Sequence, residues 1–354
     1  MAKAEAGLLV RKTTVNDVLD EWVAKTTLRA PELSVINRYF REYLGPKDVT
    51  TINAKIIHDF KEWRKTYWTK GPGKEIDYLW YERAGRKLKR PVKHEEPKPS
   101  TIHTLEVILS KFLTYCDNAS YIAKAPKFTK DRVRTSVRPS FNPQEINVIV
   151  MAAVANAERW YHANYSKYLQ EIHDTHVLNA YISVMAGSGL RPTECLRLRW
   201  RDILHFNPTP KINNEIGNIR IQVHGKAKHR VMVPLDSVEI TLRTLWDIYT
   251  KTCERKPTPD DFVWVYRNMN QYKTISRPLD VFLRQLKMKF DYKGDKRDAY
   301  SFRHYYITSQ LVAGVDIHLL ARNCGTSVGI IERHYSHVTT EDGADKLRPE
   351  TTRL

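Results

Sequence analysis

Apolar residues fall at helical spacing in three stretches of the first third of the chain. Val15, Val18, Leu19 and Trp22 mark a helix over 14–22. Ile56, Ile57, Phe60 and Trp63 mark a second over 52–63, and Leu105, Ile108, Leu109, Phe112 and Leu113 a third over 101–115. Ser100, preceded by Pro97 and Pro99, reads as the cap of the third. Residues 67–99 interrupt the periodicity with charge, Gly and Pro, including the run Arg83 to Lys93. That run reads either as a solvated loop or as an arm that grips phosphates.

Residues 131–141 are short of apolar periodicity and read as a linker. Asn142, Pro143 and Glu145 then open a helix, with Asn as cap, Pro in the first turn and Glu near the positive helix end. Helices are predicted over 143–160, 174–187, 236–251, 278–290, 301–313, 316–323 and 327–337. Between them, 218–223 and 229–235 alternate apolar and polar positions across a Gly- and Lys-containing turn, which predicts a hairpin. The expected fold is mainly α with a small β-sheet, an α+β chain. A helical domain over 13–130, with its basic insertion at 67–99, precedes a larger domain over 142–337. Segments 1–12 and 338–354 flank the two.

Composition narrows the class of function. Over 354 residues, 58 Lys and Arg face 40 Asp and Glu, a net charge of +18, while 42 % of residues are hydrophobic. A chain this apolar builds real cores, and a surplus this large calls for a polyanion. Residues 1–140 hold 28 of the cations and 17 of the acids, a net of 28 − 17 = +11, so the first domain is the more basic. No run approaches the eighteen or so apolar residues of a spanning helix, and the start lacks the apolar core of a secretory signal. Cys116, Cys195, Cys253 and Cys324 are widely spaced, so neither a zinc site nor a disulfide frame is expected. An intracellular protein facing nucleic acid is the expectation.

Four local patterns carry chemistry. Gly187 to Glu194 turns one helix into the next, with Arg191 at the mouth of the second, where its planar fork suits a phosphate. The hairpin tip carries Lys226, Lys228 and Arg230, either as solubilising charges or as a probe of a groove. Ser301 reads as a helix cap with Arg303 in the first turn, where an anion is welcome. His304 beside it reads as a packing group or a base. Residues 316–337 form two short helical patterns about Gly325, with Ser327 as cap and Tyr335 near the end. They read as a helix-turn-helix DNA reader, or as the carrier of a tyrosine nucleophile.

In this order the four patterns resemble the tyrosine recombinase (phage integrase) family, with the last block most like phage- and island-encoded integrases. The resemblance covers 142–337, and the bundle before it looks like that family's SAM-like core-binding domain. It implies a catalytic set of Arg191, Lys226, Arg303 and the nucleophile Tyr335, with Glu194 as the acidic neighbour. Two positions depart from the pattern: Tyr300 stands where the family has His, and Thr326 where it has His or Trp. The resemblance implies DNA strand exchange through a 3′-phosphotyrosyl link, without metal, ATP or other cofactor. Arg191 and Arg303 would clamp the phosphorane oxygens, and Lys226 would protonate the leaving 5′-oxygen. Tyr300 would position by hydrogen bonding, and Thr326 would donate one neutral bond. Expected partners are double-stranded attachment sites, a homotetramer on DNA and accessory bending or directionality proteins, in the cytoplasm of a bacterial host. The 338–354 tail is the expected link between subunits. A non-catalytic DNA-binding protein, and a type IB topoisomerase or telomere resolvase, are the alternatives.

Overall fold

Thr14 begins the first helix by accepting from Asp17 N at 3.3 Å while its own N–H donates to Asp17 Oδ2 at 2.9 Å. The resulting helix α1 (Val15–Lys25) buries Val15, Val18, Leu19 and Trp22. The computed structural model describes residues 13–83, 85–130, 139–161, 167–209, 219–225 and 229–335. The chain divides into two compact units, Met1–Thr135 and Ser136–Leu354.

In the first unit α2 (Ala30–Val35) passes through a π-helical turn at Ile36–Phe40 into α3 (Arg41–Tyr43). The periodicity reading missed this element. Through that wider turn Ile36, Tyr39 and Phe40 keep the i, i+3, i+4 spacing of a helix, and all three reach the core. Asn53 caps α4 (Ala54–Thr66). The ribbon β1 (Tyr78–Arg83) and β2 (Arg86–Pro91) follows, in antiparallel register with Trp80 opposite Lys89. A structured ribbon thus replaces the loop expected over part of 67–99. β2 has a single aliphatic residue other than Pro, Leu88, so alternation was invisible there.

Helix α5 (Pro99–Asn118) starts earlier than its expected Ser100 cap. Lys98 is the cap residue and Pro99 takes the first turn, where its missing N–H is no loss. α5 buries Leu105, Ile108, Leu109, Phe112 and Leu113 against α1 and the π turn. It also buries Glu106 completely, paired with Lys61 of α4 at 2.5 Å, and Lys61 donates to Thr129 O at 3.2 Å.

In the second unit Asn142 Oδ1 accepts from Glu145 N at 2.7 Å at the start of α6 (Pro143–Tyr161). Then come α7 (Leu169–Ser188), α8 (Pro192–Cys195) and a three-stranded antiparallel sheet of β3 (Ile203–Leu204), β4 (Arg220–His224) and β5 (His229–Met232). α9 (Asp236–Thr252) and α10 (Ser276–Gln285) complete a core about Trp264, Tyr249 and Phe302. α11 (Ala299–Val312), α12 (Ile317–Cys324) and α13 (Val328–Tyr335) close the unit with a smaller cluster of Tyr306, Ile307, Leu320 and Ile331. The chain is mainly helical with small antiparallel sheets. No described helix is long and apolar enough to cross a membrane.

Candidate active site

A helix leaves its last four carbonyls without intrahelical donors, and α12 shows how such a deficit becomes a site. Its end closes with Gly325 N donating to Arg322 O at 3.2 Å and Thr326 N to Ala321 O at 2.9 Å, a Schellman turn. Gly325 sits at φ +61, and a Cβ there would lie 2.5 Å from Arg230 Nη1. Both the left-handed backbone and the close approach require glycine.

The next three carbonyls accept from three arginines. Arg230 Nε donates to Asn323 O at 3.1 Å, Arg303 Nη2 to Cys324 O at 2.9 Å, and Arg191 Nη2 to Gly325 O. They arrive from β5, α11 and the mouth of α8. Consecutive acceptors therefore gather Arg191 and Arg303 at one place, though more than a hundred residues separate them. Arg303 also donates to Gly189 O at the end of α7 and is almost wholly buried.

Glu194 ties the group together. Arg191 reaches it through its backbone N at 3.0 Å and Nη1 at 2.7 Å, and Arg230 through Nη1 at 3.1 Å and Nη2 at 2.9 Å. Burial pushes the Glu194 carboxyl up, but the bonds from Arg230 and Arg191 outweigh it and hold the group at about 2. Burial likewise pushes the Cys324 thiol up, with Arg303, Arg230 and Arg191 pulling the other way. One half-buried carboxylate is thus shared by two guanidinium groups while the third, Arg303, bonds the same helix end, leaving local positive charge where an anion would be welcome.

Asn323 fixes the hairpin to this end of α12: Val233 N donates to its Oδ1 at 2.8 Å and its Nδ2 to Val233 O at 3.1 Å. Lys226 and Lys228, at the tip, lie outside the described residues. Strand pairing is described up to His224 opposite His229. Thr326, half-buried, directly follows Gly325. Tyr300 is half-buried in the first turn of α11, its N–H donating to Asp298 Oδ1 at 2.8 Å. Asp298, not Ser301, caps α11, and Ser301 Oγ accepts from Asp298 N at 3.2 Å in return. Arg303 accordingly sits in the second turn of α11 instead of the first. Ser327 does act as a cap, accepting from Ile330 N at 3.3 Å. The backbone of α13 ends at Tyr335, whose side chain lies outside the described part, as do 336–354. Among the described residues, no three His, Cys, Asp or Glu are placed to hold a metal ion.

Arg230, read from the sequence as one of the charges of the hairpin tip, lies on the inward face of β5: half-buried Arg230 and buried Met232 alternate with exposed His229 and Val231.

The model of the phage integrase family matches residues 158–342, over half of the chain. The chain belongs to the phage integrase family. Solved tyrosine recombinases share its fold. The Tn1549 transposon integrase, in complex with a circular intermediate DNA, matches with TM-score 0.57 at 13% identity over 94% of this chain and 97% of that one. The XerH site-specific recombinase bound to difH substrate matches with TM-score 0.56 at 14% identity over 90% and 78%. A lambda integrase dimer bound to a core site matches with TM-score 0.53 at 13% identity over 97% and 98%. At such identities the likeness is one of fold. No curated protein matches the sequence.

Proposed function

We propose that this phage integrase family member is a site-specific DNA recombinase that cuts and rejoins strands through a 3′-phosphotyrosyl intermediate. The observation that carries the reading is the convergence of Arg191 and Arg303 on the adjacent carbonyls of Gly325 and Cys324, with α13 leading from that turn to Tyr335. In the proposed reaction the Tyr335 oxygen attacks a backbone phosphorus, and the phenolic proton is lost to water or a nearby His. The bond to the 5′-oxygen breaks, and Lys226 protonates that oxygen as it leaves. The 5′-hydroxyl of a partner strand then attacks the phosphotyrosine, restores a phosphodiester and frees the phenol.

Arg191 and Arg303 stabilise the added charge on the non-bridging oxygens, a role that needs two fork-shaped donors already held in place. Their carbonyl and carboxylate partners provide that fixity before DNA binds. Glu194 and Arg230 hold Arg191 in position, Tyr300 orients the phosphate or the phenol, and Thr326 donates one further hydrogen bond. The partner is double-stranded DNA at an attachment site of a phage or other mobile element, and exchange between two duplexes calls for four protomers around one junction. The tail 338–354 is the proposed link between those protomers.

On a nicked duplex carrying the element's own junction, the wild type is expected to give a denaturant-resistant adduct, and Tyr335→Phe none while still binding. An adduct with Tyr335→Phe would overturn the assignment. Reciprocal exchange between two such sites separates a recombinase from a type IB topoisomerase, which would only relax or reseal.

A further inference from the structure

The β1–β2 ribbon is rooted in the first unit but not covered by it. Ile76, Leu79 and Val92 pack against the bundle core, and Val92 N donates to Asp77 O at 2.8 Å. Beyond that root every residue of β2 is exposed, and β1 exposes Trp80 at 59% and Tyr78 at 47%. These rings lie on one ribbon face with Lys87 and Lys89. Lys89 Nζ stands 4.4 Å from the Tyr78 ring centroid, and Lys87 Nζ 5.3 Å from that of Trp80. Alternation puts Arg86, Leu88 and Arg90 on the opposite face. From Tyr78 to Pro91 there are five Lys or Arg and one acid, Glu82, a net of 5 − 1 = +4.

Such a ribbon is poorly suited to pairing with a second copy of itself, because like charges would meet along its edges. It is well suited to duplex DNA. Two strands fit a major groove about 12 Å wide, and six residues at about 3.3 Å each run along about six base pairs. Cations on both faces can then reach both phosphate walls, and rings beneath Lys87 and Lys89 restrict those side chains before binding.

We infer that the β1–β2 ribbon is an accessory DNA grip, lying in a groove of the duplex with Lys87 and Lys89 on one wall and Arg86 and Arg90 on the other. The inference rests on the recombinase reading for its partner but not for its chemistry. Its test is the salt dependence of affinity for a mixed-sequence duplex of about 30 base pairs. Each lost phosphate contact lowers the slope of log K against log salt by about 0.9, so K87A/K89A should lower it by about 1.8 and R86A/K87A/K89A/R90A by about 3.6. The melting temperature should be unchanged, since all four side chains are exposed, and adduct formation on the junction substrate should persist. Unchanged slopes in both variants would overturn the grip, as would a loss seen with single-stranded DNA and not with duplex. Absence of any adduct from the wild type, with the slope change intact, would instead remove the catalytic reading and leave the grip standing.

Discussion

The cations at the end of α12 and those on the β1–β2 ribbon belong to the same basic chain, yet they are held in opposite ways. Arg191, Arg230 and Arg303 are at least partly buried, and each bonds a named carbonyl or carboxylate. Lys87 and Lys89 are exposed and rest on aromatic rings. Fixed donors suit a reacting phosphate, whose charge must be met without rearrangement. Exposed, solvated donors suit the many interchangeable phosphates of a duplex. How the surplus charge is anchored therefore says more about its use than how much of it there is.

Mutations can break this contrast. The largest effect is expected within the first unit itself, at the buried pair Lys61–Glu106, which shows that burial and not membership of a unit decides the outcome. Lys61→Ala should cost about 3–5 kcal/mol in urea denaturation by removing the ammonium paired with the fully buried Glu106. Arg303→Leu should cost about 3 kcal/mol, because the carbonyls of Gly189 and Cys324 lose their donor. K87A/K89A should stay within about 0.5 kcal/mol of the parent. Equal losses at Arg303 and on the ribbon would erase the distinction.

Acid sharpens it. Glu194 lies at about 2 in the folded protein against an ordinary 4.5. Its ion pairs therefore add stability that is fully present above about pH 4.5 and is lost as pH falls toward 2, at most about 3 kcal/mol. The stability gap between the parent and Glu194→Gln should shrink across that window. A gap independent of pH would contradict the assignment. Intermediate effects concern two glycines at positive φ. Gly325→Ala should cost about 2 kcal/mol or more, since strain adds to the contact with Arg230. Gly85→Ala at the ribbon tip, with nothing within 4 Å, should cost about 1 kcal/mol by strain alone, as read from thermal melts.

Much of this was legible in the chain. The amphipathic helices around Leu19, Phe60 and Leu109, the Asn142 cap and the hairpin over β4 and β5 follow from periodicity and capping chemistry. Arg191 and Arg303 stood out by motif. Their adjacent acceptors did not, because the end of α12 lies 134 residues along the chain from Arg191 and 21 from Arg303. Ser301 reads as the cap of α11, but Asp298, three residues earlier and of an equally good capping type, takes that place. The helical spacing of Ile36, Tyr39, Phe40 and Leu44 was present in the chain, whereas the ribbon kept too few aliphatic residues to display a period of two.

The central claim is that the turn closing α12 delivers Tyr335 to a phosphate held by Arg191 and Arg303. The most direct measurement is mass spectrometry of the DNA-linked peptide recovered by trypsin from the trapped complex. Cleavage after Arg333 and Lys346 should place the nucleotide on the fragment His334 to Lys346, at Tyr335. A nucleotide on any other residue, or a protein that cuts the junction without ever carrying one, would contradict the account.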